Sequence, residues 1–220
     1  MNISTFSHYL LDVIFPGVKD TLVILIFTML ITGTIGFVLG SILYMTDKNS
    51  LKPNIKVHFI LGIVINTIRS IPSVIFMIFL IPFARLVIGE AIGRRAAIFY
   101  LSIMCAAFVA RIVDDKLKRI DKPLIDAAVS MGIPEMIIWW RIVVHEAIPL
   151  LVLGYSFAII MIMGTIAVAG LIGAGGIGTI ALNYGYYSFN KYVMYGSVIV
   201  IFIITFIVQI IGRALYEKLK

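Results

Sequence analysis

Hydrophobic positions in this chain fall in blocks rather than stripes. Thr21 to Tyr44 contains no charged side chain. As a helix, these residues rise about 36 Å at 1.5 Å per residue, more than the ~30 Å hydrocarbon core of a bilayer. Comparable blocks follow at Val57–Phe83, Ala96–Ala110, Leu150–Ile172 and Tyr192–Ile211. The pattern predicts an all-α polytopic membrane protein with five transmembrane helices in a single domain over residues 1–220, because only helices satisfy their own backbone along each block. An earlier apolar run, Phe6–Phe15, is interrupted by His8 and Asp12 and ends at Pro16. It is too short to span and is expected in the interface.

The polar intervals are short except one. Residues 111–149 form a long connection, with its centre at Lys122–Pro149. Arg111–Lys122 reads as an amphipathic extension of the third span. Asp114 with Lys118, and Asp115 with Arg119, stand four apart in the favourable acid-before-base order, while Val113, Leu117 and Ile120 mark the other face. Asp126-Ala127-Ala128 and Gly132 then predict a short helix with a small-residue face, Ala128 and Gly132 being four apart. Gly132 suits the left-handed end of that helix. Pro134 and Glu135 suit the first turn of another. Such a pair of helices makes a docking surface. The residues alone equally allow a connection that only turns the chain around.

Composition supports the membrane reading. Hydrophobic residues make up 61% of the 220, against about half in a soluble domain, and the mean hydropathy is +1.10. The net charge of +7 does not point to nucleic acid, because the basic residues flank spans, where topology and anionic lipid explain them. With the N-terminus outside, twelve basic residues fall in inside segments and five in outside ones. The positive-inside rule therefore places the long connection in the cytoplasm. Cys105 is the single cysteine, so an intrachain disulfide is excluded. The N-terminal stretch lacks the basic start of a cleaved signal peptide.

Arg69 interrupts the second block within Arg69-Ser70-Ile71-Pro72. A guanidinium at that depth costs at least about 2.5–3.5 kcal/mol, so it must face protein or water. An interhelical clamp is the favoured reading, with substrate contact as the alternative. Gly173-Ala-Gly175-Gly176-Ile-Gly178 matches the dinucleotide fingerprint in spacing. It follows a span rather than a strand, however, and no acidic residue lies between Glu146 and Glu217 to hold a ribose. Those glycines are expected to bring backbone close to a neighbouring helix or a ligand. No phosphate-binding loop motif occurs, so the chain itself is not expected to hydrolyse ATP. His8, His58 and His145 lack metal-ligand spacing.

The Asp126–Gly132 stretch, continued nine residues on by Ile142, resembles the cytoplasmic EAA loop of ABC-importer permeases. Asp126 replaces the motif's Glu, Val144 its Leu and His145 its Pro, with Pro149 following. Around it, TLVILIF, RSIP, GLIGAGGIG and NYGY resemble the methionine-importer subgroup. The resemblance implies a type I permease that forms a pair around a central pathway. Two ATPase subunits would bind ATP and Mg, so this chain would need no cofactor of its own. A substrate-binding protein would deliver the ligand. Asp126, Ala127, Ala128, Gly132 and Ile142 would meet the ATPase. Gly164, Thr165, Ile166 and Val168 would line the pathway, with Val168 at a gate. The competing class, an ion-driven carrier, usually needs an intramembrane carboxylate, and the five expected spans carry none. An intramembrane enzyme would need a clustered nucleophile and base, and none is seen.

Overall fold

A computed structural model describes residues 13–220. The expected interfacial stretch therefore lies mostly outside the described residues, with His8 and Asp12 among those not covered. The described residues are helical and contain no strand. Helix α1 is Phe15–Met45, α2 Ile55–Ser70, α3 Ser73–Ile88, α4 Arg94–Leu117 and α5 Lys122–Ser130. Helix α6 runs without interruption over Glu135–Ile172. Helix α7 is Gly176–Ile180, continued by a π-helical turn Ala181–Tyr187, and α8 is Lys191–Leu219.

Four helices, α1, α4, α6 and α8, are each long and apolar enough to cross a membrane. The second expected span is not one helix. Its halves, α2 and α3, qualify only together, as a broken pair. Pro72 explains the break. It cannot donate a helical hydrogen bond and biases Ile71 away from helical angles, and it becomes the N-cap of α3 at φ −56°, ψ 133°. The expected third span and its amphipathic extension are one helix, α4. The fourth begins fifteen residues before the expected Leu150, so Trp139, Trp140 and Arg141 lie within α6. There a π-helical stretch, Ile138–Val144, precedes Pro149.

The chain divides into two compact units. One comprises the residues up to Ile31, Ile71–Met104 and Ile159–Val208; the other comprises Thr32–Ser70, Cys105–Ala158 and Gln209–Lys220. In the second unit, Gly36 and Gly40 let α1 lie against α4. A Cβ on Gly36 would stand 2.6 Å from Val109, and Gly40 faces the Ala110 carbonyl and Val113. The small-residue pair thus packs within the chain. Leu43, Ile65, Ala107 and Ala110 form a core beside it, and Tyr155 donates to the Gly33 carbonyl at 3.1 Å. Cys105 is fully buried.

In the first unit, the glycine run makes a tight crossing. Gly173, Gly175 and Gly176 take φ of 73°, 83° and 75°. Gly170 and Gly178 touch backbone to backbone, and a Cβ on Gly178 would lie 2.5 Å from the Ala167 carbonyl oxygen. The Ile177 amide donates to Thr21 Oγ1 at 2.8 Å, and the Gly175 amide to Thr179 Oγ1 at 3.0 Å. Of the two expected roles for these glycines, close approach to neighbouring backbone is realised.

Candidate functional site: the α5 segment and its root

Helix α5 starts after Asp121, with Pro123 in its first turn, where a missing N–H costs nothing. It ends in a paired-bond turn. The Gly132 amide donates to the Val129 carbonyl at 2.9 Å and the Ile133 amide to the Ala128 carbonyl at 3.3 Å. Gly132 at φ +72° supplies the left-handed residue this Schellman arrangement requires. A Cβ placed there would meet nothing within 4 Å. Pro134 then caps the next helix, its carbonyl accepting from the Ile137 amide at 2.9 Å and the Ile138 amide at 3.1 Å.

Two features of the expected site shift. Helix α5 ends at Ser130, so Gly132 lies beyond it and cannot share a helical face with Ala128. Ala128 is turned inward at 5% exposure, whereas Asp126 and Ala127 are exposed. Ile142 is half-buried in the π-helical stretch. Other residues in this polar stretch, not singled out by the small-residue pattern, show apolar surface. Leu124, Val129, Met131 and Met136 are exposed, Met131 by 79%. Flexible, polarisable Met side chains suit contact surfaces. The signal in the sequence was apolar residues spaced through a segment too polar to enter the bilayer.

The root of α5 is held by charge. Asp114, fully buried, receives hydrogen bonds from Arg111 at 3.0 Å and from Lys118 at 3.1 Å, both at Oδ2. Lys118 also lies 3.1 Å from Oδ1. The same ammonium reaches Asp47 Oδ2 at 2.9 Å. The expected Asp114–Lys118 pair is present, whereas Asp115 pairs with Arg111 at 3.5 Å rather than with Arg119. The reason is that α4 ends at Leu117, leaving Arg119 in a turn. Burial pushes the Asp47 carboxyl up, but the Lys118 hydrogen bond, the Asn49 amide and the nearby cations outweigh it, so its pKa lies below the ordinary value. Burial likewise pulls Lys118 down, and its bonds to Asp47 and Asp114 more than reverse this, raising it. Hollows flank α5 where it faces the α1–α2 loop. One of about 320 Å³ is lined by Tyr44, Asp47, Lys118 and Lys122. Another, about 460 Å³, is lined by Asn49, Asp126, Gly132 and Glu135.

The remaining expected residues lie apart from this segment. Arg69 is half-buried, with its guanidinium 5.3 Å from the Phe108 ring centroid. It joins α2 to α4 through the ring face. Gly164 is exposed with open space around it, Thr165 donates to the Met161 carbonyl at 3.0 Å, and Val168 is half-buried. Ile166 is 1% exposed and so points into the chain. Among the described residues, no three His, Cys, Asp or Glu side chains gather as a metal site.

Comparison with known proteins matches residues 36–220 to the family described as "Binding-protein-dependent transport system inner membrane component". The chain is 39% identical over 171 residues to the methionine import system permease protein MetP of Bacillus subtilis, covering 78% of this chain and 77% of that one. It is 34% identical over 206 residues to a probable D-methionine transport system permease protein MetI of Haemophilus influenzae, covering 94% and 97%. A solved structure of the MetNI methionine ABC transporter in an inward-facing conformation superposes with a TM-score of 0.93 at 32% identity, covering 96% of this chain and 98% of that chain.

Proposed function

This chain belongs to the inner membrane components of binding-protein-dependent transport systems, and we propose that it is the permease subunit of an ATP-driven methionine importer. It works as one of two copies joined to two copies of a separate ATPase that binds ATP and Mg, and receives substrate from a binding protein. The observation that carries the coupling role is the α5 segment. An exposed helix ends in a glycine surrounded by open space, with Leu124, Val129 and Met131 presenting apolar surface. Apolar side chains exposed on a segment too polar for the bilayer are the mark of a partner surface.

The ion-driven alternative is disfavoured. The buried carboxylate within α4, Asp114, is already paired with Arg111 and Lys118, so it is not a free ion-binding group. Asp126 and Ala127 meet the ATPase from the outward side of α5 and Gly132 from the turn beyond it, and Ala128 supports them from within. Gly164, Thr165 and Val168 border the pathway. Ile166 contributes to that wall from behind.

Co-purified with its ATPase in mild detergent and sized by light scattering, the protein should show equal copies of each subunit. Reconstituted with the binding protein, it should take up L- or D-methionine only with ATP. A stable monomer competent in transport, or uptake driven by an ion gradient without ATP, would overturn the reading.

A further inference from the structure

We propose that Lys118 is a positioning residue for energy coupling, tying the root of α5 to the α1–α2 loop so that movement of α5 is passed to α1 and α2 as well as to the two helices it joins. The proposal rests on the reading that α5 docks to the ATPase. Lys118 stands immediately after α4 and four residues before α5. The residues between them form a loose turn, with the Arg119 amide on Lys116 at 3.2 Å and the Ile120 amide on Leu117 at 3.3 Å. Through the backbone alone, a push on α5 reaches α4 on one side and α6 on the other, but not the α1–α2 loop.

The Lys118 side chain supplies the route to α1 and α2. Its ammonium lies 2.9 Å from Asp47 and 3.1 Å from Asp114. Asp114 is 0% exposed and held from its other side by Arg111, so the ammonium is anchored and not free to follow solvent. The loop it grips is stiff. The Asn54 amide bonds the Thr46 carbonyl at 3.0 Å, the Ser50 hydroxyl bonds the Asp47 carbonyl at 2.8 Å, and Asn54 Oδ1 accepts from the Val57 amide at the start of α2. His58 adds a contact from its Nδ1 to the Leu43 carbonyl at 3.0 Å. An anchored cation on a braced loop passes on displacement, whereas a solvated ion pair would slip.

Asp47→Asn is the discriminating variant, because it cuts the bridge to the loop while Asp114 keeps both of its cations. In proteoliposomes at matched folded protein, methionine uptake and ATP hydrolysis are measured together, with Asp47→Glu as the conservative variant. Uptake per ATP should fall by about fivefold or more, the lower range for coupling between sites, while hydrolysis stimulated by the binding protein persists. Asp47→Glu should restore the ratio. A merely structural role would lower uptake and hydrolysis in equal proportion, and that result, or an unchanged ratio, overturns the proposal. Gly132→Leu is run alongside. If it uncouples transport while Asp47→Asn does not, only this proposal falls. If both behave as wild type, the docking role of α5 falls as well.

Discussion

Two of the turns that use glycine at positive φ, the Gly170–Gly178 crossing and the turn at Gly132, put it to opposite ends. In the Gly170–Gly178 crossing, backbone occupies the side-chain space at Gly170 and Gly178, with Ala167 packed against Gly178, and Thr21 occupies it at Gly176. At Gly132 the missing side chain is replaced by nothing. The first glycines serve the chain's own packing. The second serves backbone conformation and leaves its surface open to another molecule. Residue type is the same in both; at Gly178 packing forbids a side chain, whereas at Gly132 only the backbone angle does.

The comparison breaks most visibly at Gly178. Gly178→Ala drives a methyl into the Ala167 backbone, which cannot swing aside as a side chain would. A destabilisation of about 3 kcal/mol or more is expected, the upper end for overpacking, seen as loss of monodisperse protein extracted from membranes. Normal yield would mean that the crossing is loose. Gly132→Leu should do the reverse. It costs about 1–2 kcal/mol for positive φ, so folded yield stays near wild type while methionine uptake is largely lost. Poor folding with normal specific uptake would dissolve the contrast.

Thr21→Val sharpens the first half of the comparison. It keeps the volume but strands the buried Ile177 amide, costing about 1–3 kcal/mol, readable as a lowered thermal midpoint with transport per folded molecule preserved. The smallest effect belongs to Asp47→Asn on stability, about 0.2–1 kcal/mol for a partly exposed pair. Its pH dependence has a definite sign. Asp47 titrates lower folded than unfolded, so its contribution is present above its ordinary value of 3.8 and fades as pH falls through the folded value. Lys118 titrates higher, so its contribution is full below 10.5 and fades as pH rises through its folded value. The gap between wild type and Asp47→Asn should therefore close under strong acid. A gap that persisted undiminished in strong acid would exclude this pair as its source.

The spans were legible because hydrophobic blocks of this length admit few other structures. What the sequence hid was continuity. Pro72 split a block that composition read as one, and Pro149 failed to stop a helix that the preceding π-helical stretch carries past it. At the docking segment, Asp126, Gly132 and the Pro134 cap were readable from local chemistry. The inward turn of Ala128 was not, because it depends on α5 ending at Ser130, before Gly132 can join the same face. The Asp47–Lys118 bridge was invisible for another reason. The residues are seventy-one positions apart, and each looks like an ordinary loop charge until the fold sets them side by side.

Cys105 has a practical consequence. The only thiol in the sequence is sealed within α4 at 0% exposure, so maleimide reagents should meet a silent background. A cysteine introduced at Met131 or Ala127 can then carry a fluorophore or spin label on otherwise native protein, and the movement of α5 can be followed without first stripping the chain of its own sulfhydryl.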